Sequence, residues 1–89
     1  MQFAKYVKMR YEKFGAVVFD TLSEKVYITN DSGKEILSLM DEGLSASAIA
    51  ERLARKHEEA TSEMQNDVAE FIDGLQSAGL LASLVEEKP

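Results

Sequence analysis

The chain has no cysteine, a single histidine and a single proline, which is its last residue, Pro89. Without cysteine, no disulfide framework, iron–sulfur cluster or thiolate zinc site can form. One histidine gives no transition-metal site, and its isolation leaves the many serines without a base to activate them as nucleophiles. His57, between Lys56 and Glu58, is read as a solvated residue at a helix end. No apolar run approaches the ~18 residues of a membrane span. The start, MQFAKYVKMR, lacks the continuous apolar core of a signal peptide, so a cytoplasmic protein is expected. Basic charge is scarce: the formal net charge is −6. Non-specific binding to nucleic acid or to an anionic membrane needs surplus Lys and Arg, so neither is expected. Five scattered glycines build no phosphate-cradling loop.

The remaining acidic features do not make an enzyme. Asp41–Glu42 and Glu58–Glu59 are sequence neighbours, which point to different sides of a helix and form no general acid/base pair by spacing alone. NDSG, from Asn30, looks like a fragment of a calcium loop. It lacks the other alternating ligands and the distal Glu, and helix capping explains it better. No catalytic constellation, cofactor site or metal site is expected.

Eighty-nine residues with 45% hydrophobic and 29% charged composition read as one domain, 1–89, with an ordered core of about 5–82 and a frayed tail over 83–89. VKMRYEK, residues 7–13, alternates Val7, Met9 and Tyr11 with Lys8, Arg10 and Glu12, the pattern of a half-buried strand. AVVFD, 16–20, is a second strand. KVYIT, 25–29, is a third, with Val26 and Ile28 on one face and Lys25, Tyr27 and Thr29 on the other. Short loops favour an antiparallel meander with the second strand central. Helices follow. Ser32 and Glu35 fit a capping box, with Asn30 as a rival N-cap, ahead of the stripe Ile36, Leu37, Leu39 and Met40. Ser45 or Ser47 caps a second helix, with Ile49, Ala50 and Leu53 inward and Arg52, Arg55 and Lys56 outward. Ser62 and Gln65 suggest a capping box for a third, in which Met64, Val68, Phe71, Ile72 and Leu75 share one face before Gly79 at C′. The fold class is α+β: a three-stranded antiparallel sheet followed by three covering helices, winged helix-turn-helix-like.

Two surfaces compete for function. GLSASAIAERLARKH resembles the first half of a helix-turn-helix, which makes a winged-helix DNA-binding regulator the alternative reading. Its recognition helix would carry Glu63, Asp67, Glu70 and Asp73 and no cation, and residues 58–73 hold six acids with no basic residue. Such a helix repels DNA. The meander also has two edges. The first strand is guarded by Lys8, Arg10, Glu12 and Lys13, the decoration that discourages strand addition. The third, VYIT, has no charge between Lys25 and Asp31. It is covered by the chain itself, used for homodimerisation, or open to a peptide.

FGAVVFD, VYITNDSGKEILSLMDEG, SASAIAERLARKH and DVAEFIDGLQSAGLL, in that order and spacing, resemble the PqqD family over roughly Val7 to Leu81. That family, of pyrroloquinoline quinone biosynthesis, is the archetype of the RiPP recognition element. The resemblance departs in one place: family members often have a proline in the hairpin before the third strand, where this chain has DTLSEK. The resemblance implies a peptide chaperone that binds the leader segment of a precursor peptide. The leader adds as a strand to the third strand and lies against the third helix, and a modifying enzyme, often a radical SAM protein, receives it. The strand would supply Lys25, Val26, Tyr27, Ile28 and Thr29. Helical spacing leaves two candidate flanks: Gln65, Ala69, Ile72 and Gln76, or Asp67, Phe71, Gly74 and Ala78. The first, with Val68 and Asp73 beside it, is taken as the site.

Overall fold

The structure, a computed structural model, describes residues 3–82. The element order is β1 (Val7–Glu12), β2 (Gly15–Asp20), β3 (Val26–Thr29), α1 (Asp31–Asp41), α2 (Ala46–His57) and α3 (Thr61–Ser77). The sheet is antiparallel in the order β1-β2-β3, as the short loops require. Ala16 and Val18 of β2 are fully buried beneath the helices. Around them pack Ile36, Leu37, Leu39 and Met40 of α1, Ile49, Ala50, Leu53 and Ala54 of α2, and Met64, Val68 and Leu75 of α3. Val7 and Met9 of β1 reach the same core, while Tyr11, expected beside them, is exposed.

The helix starts follow local hydrogen-bonding chemistry. Asn30 caps α1, its side chain accepting from the Gly33 N–H at 3.1 Å. The Ser32–Glu35 box is not used, because Glu35 is drawn to Lys56 and His57 of α2. Ser45 caps α2 by accepting from the Ala48 N–H at 3.2 Å. The Ser62–Gln65 box for α3 is corrected: the helix begins at Thr61, with Ala60 at the cap position and no side-chain bond. The turn out of α2 places Ala60 there, with the Glu59 N–H bonded back to the Ala54 carbonyl.

The β2–β3 hairpin has no proline to stiffen it. Its substitute is Asp20, whose Oδ1 accepts from the N–H groups of Leu22 and Ser23, each at 2.8 Å. At the far end, Leu80 and Leu81 are buried. The Ala4 N–H donates to the Leu80 carbonyl at 3.0 Å, and Phe3 bridges Leu81. These contacts bring Phe3 and Ala4 into the fold, ahead of the expected start near residue 5. The expected frayed tail, 83–89, lies outside the described residues. Among the described residues, no helix is long and apolar enough to cross a membrane.

Candidate functional site

Among the described residues, β3 pairs with β2 along one side only. Which of its backbone groups face the open side follows from one bond: the Asp20 N–H donates to the Lys25 carbonyl at 2.9 Å. Asp20 and Lys25 are therefore a hydrogen-bonded pair of the antiparallel ladder. Hydrogen-bonded and non-hydrogen-bonded pairs alternate. In the observed register, Val18–Tyr27 and Ala16–Thr29 are bonded pairs, while Phe19–Val26 and Val17–Ile28 are not. The N–H and C=O groups of Val26 and Ile28 thus point away from β2, into the open edge.

Side chains alternate with the same period. Val26 and Ile28 stand on the outer face of the sheet, exposed, while Tyr27 and Thr29 turn half-buried toward the helices. The Tyr27 ring meets Phe71 of α3 edge-on, with centroids 5.8 Å apart and planes at 89°, a favoured arrangement for an aromatic pair. Gly74, one turn further along α3, leaves room for this ring: a Cβ there would lie 2.8 Å from the Tyr27 hydroxyl. Gly33 does the same at the start of α1, where a Cβ would come within 2.7 Å of the Phe71 ring. These contacts leave an open cleft of about 380 Å³ between β3, the start of α1 and α3. Tyr27, Thr29 and Asn30 form one wall, and Asp67, Glu70 and Phe71 the other. The two ends differ in charge. Asp67 and Glu70 mark the end near Asn30. At the opposite end, Lys25 places its Nζ 2.6 Å from the position a Gly79 Cβ would take, beside the C-terminus of α3. That helix end has no basic residue of its own, so Lys25 complements its dipole.

The two candidate flanks of α3 sit differently relative to β3. Gln65, Ala69, Ile72 and Gln76 lie on the side of α3 turned away from β3, about 100° or more around the helix from Phe71. Gln65, Ala69 and Gln76 are exposed there, as is Asp73, whereas Ile72 packs against the core and Val68 is buried within it. The flank that meets β3 is the other one, Asp67, Phe71 and Gly74. The inward Tyr27 ring decides this, since only that flank offers an aromatic edge and a missing Cβ. The sequence carried a clue in Gly74: a glycine inside a helix costs about 1 kcal/mol against alanine, and a packing contact is the usual reason for it.

A second open cleft, of about 470 Å³, lies among Tyr11, Asp31, Lys34, Glu35 and Ser38. Partial desolvation of its otherwise exposed side chain, with Asp41 adding, pushes the Tyr11 hydroxyl pKa up. Lys34 is tied to the Glu12 carbonyl at 2.9 Å. His57, exposed at the end of α2 as expected, is not free in solvent: its Nε2 lies 2.8 Å from Glu35. Glu35 is held below the usual carboxylate range, chiefly by the Lys56 hydrogen bond, against an opposing desolvation cost. These groups tie α1 to α2.

The class defined by this geometry is a small α+β domain with one unguarded sheet edge set beside a helix, the arrangement in which strand addition occurs. The chain belongs to the PqqD family: the family model for coenzyme PQQ synthesis protein D matches residues 15–81. It is 29% identical over 85 residues to a PqqA binding protein of Rhodopseudomonas palustris (strain BisB5), covering 96% of this chain and 83% of that one. Among solved structures, its fold matches TbiB1 in complex with the TbiA(beta) leader peptide. The TM-score is 0.85 at 18% identity, over 93% of this chain and 96% of that one. It also matches a lasso peptide synthetase B1 complexed with a leader peptide, at TM-score 0.83 and 20% identity, over 92% and 96%.

Proposed function

We propose that the protein is a non-catalytic adaptor. It captures the leader segment of a ribosomally made precursor peptide as a fourth strand on β3 and presents it to a modifying enzyme, of the radical SAM type in a cytoplasmic pathway. The observation that carries this reading is the open edge itself. Among the described residues, Val26 and Ile28 turn unpaired backbone groups into the edge above the Tyr27–Phe71 cleft, and the strand Val26–Thr29 itself carries no charge. Family membership supports it, as do the relative's description as a PqqA binding protein and the leader peptides held by both structural neighbours.

The energetics say what else the site must supply. Backbone groups of two residues add about four hydrogen bonds, roughly 2–6 kcal/mol at ~0.5–1.5 each. Association costs at least ~4 kcal/mol, and micromolar binding needs about −8. Side chains must make up the difference, and the cleft beside Phe71 and Gly74 is where the peptide's inward residues would sit.

The test is an NMR titration of labelled protein with the R. palustris PqqA leader and with short peptides encoded beside this chain's own gene. Shifts are expected at residues 25–30 and along Asp67–Gly74. Shifts centred on Val7–Glu12 or on Ala46–His57 would refute the reading. Sedimentation of the free protein addresses the competing occupant of this edge: a β3-to-β3 homodimer at micromolar concentration would close the site to peptide. A mass shift in the precursor on incubation with the protein alone would refute the non-catalytic assignment.

A further inference from the structure

The face of the sheet turned away from the helices carries two cross-strand rows. Lys8, Phe19 and Val26 align in one, and Arg10, Val17 and Ile28 in the other. Each row runs from a cation on β1, through a half-buried apolar residue on β2, to an exposed apolar residue at the edge, with Val26 57% and Ile28 66% exposed. This departs from the usual alternation, in which the solvent side of an antiparallel sheet is polar. The departure grows toward the open edge, where isolated sheets normally place charge.

Val26 and Ile28 are also the two residues whose backbone groups point into that edge. Any strand that pairs with them sets the residues directly opposite on the same outer face, beside these two side chains, whether it runs parallel or antiparallel. The residue between them turns inward over Tyr27. The pairing geometry therefore fixes which peptide side chains meet Val26 and Ile28 before any sequence is known.

Resting on the peptide-capture reading above, we infer that the captured segment is read on its outer face as well as in the cleft. It carries apolar side chains, β-branched or aromatic, at two outward positions i and i+2. These extend both rows to a fourth strand and cover Val26 and Ile28. The selected class is an extended segment with a two-residue apolar period, not merely one with a residue that fits the cleft.

A random-peptide phage library panned against the immobilised full chain tests this, with hydrogen exchange locating each selected peptide. Selected sequences should protect the amides of Val26 and Ile28 and share apolar residues at i and i+2. Serine at both positions should weaken binding by about tenfold, the product of two lost cross-strand pairs. Panning against V26T/I28T, which keeps β-branched residues in the strand, should lose the apolar preference. Selected peptides that protect both amides yet carry polar residues at i and i+2 overturn this inference and leave peptide capture at β3 standing. A library yielding no sequence that protects those amides overturns the groove itself and this inference with it. Protection of those amides in the free protein by a second copy of the chain overturns both.

Discussion

Replacing Ile28 with proline separates the open edge from the rest of the sheet. The Ile28 N–H faces away from β2, so the substitution removes no ladder bond, and proline is tolerated in an edge strand where its missing donor faces solvent. The lost side chain is mostly exposed already. A stability cost of about 1 kcal/mol or less is expected, read as a small shift in urea midpoint. Peptide capture should suffer far more. β3 loses the Ile28 N–H donor, so a carbonyl of the bound peptide is left unpaired beside the proline ring, a penalty of roughly 1–3 kcal/mol. That is about fivefold to 150-fold in affinity by calorimetric titration. Tyr27→Pro, one residue earlier, is the control. It removes a ladder bond to Val18 and the contact with Phe71, about 1–3 kcal/mol together, and should destabilise the fold outright. If Ile28→Pro unfolds the protein as readily as Tyr27→Pro, the assignment of outward-facing groups is wrong. If it stays folded and binds peptide within about twofold of wild type, the edge is not where the peptide pairs.

Three further outcomes are expected. Gly74→Ala gains about 1 kcal/mol of helix propensity while pushing the Tyr27 hydroxyl from its place 2.8 Å away, so thermal stability should hold or rise while peptide affinity falls; equal losses in both would contradict this. Gln76→Trp, on the flank turned away from β3, should leave peptide affinity unchanged in the same titration. Acid should loosen the fold in two places, because Asp20 and Glu35 both have folded pKa values below their ordinary ones. Asp20 is lowered chiefly by the Ser23 and Leu22 N–H groups, and Glu35 by the Lys56 hydrogen bond. Each lowered pKa adds stability that is complete above the unfolded value and is lost as pH falls through the folded one. Melting temperature should therefore be flat near neutrality and decline below about pH 4.5, with a shallower decline in Glu35→Gln.

Much of the architecture is set by local pattern. Alternation in VKMRYE and VYIT and the three-and-four spacing from Met64 to Leu75 locate strands and helices, because burial of one face imposes those periods on any chain. The lack of charge on β3 is likewise a property of four consecutive residues. Periodicity has no information about which neighbour an element meets. It could not choose between the two sides of α3, since both flank the same buried stripe of Met64, Val68 and Leu75. Nor could it choose among Asn30, Ser32, Ser45, Ser47 and Ser62 as caps, since each has the right chemistry and only the path of the chain selects Asn30 for α1 and Ser45 for α2. Tertiary structure made those decisions. The ladder register turned Tyr27 inward, and its ring required a helix surface with an aromatic edge and no Cβ. The Phe71–Gly74 side of α3 satisfied that requirement, and the cleft beneath the open edge lies where it does because of that one packing contact.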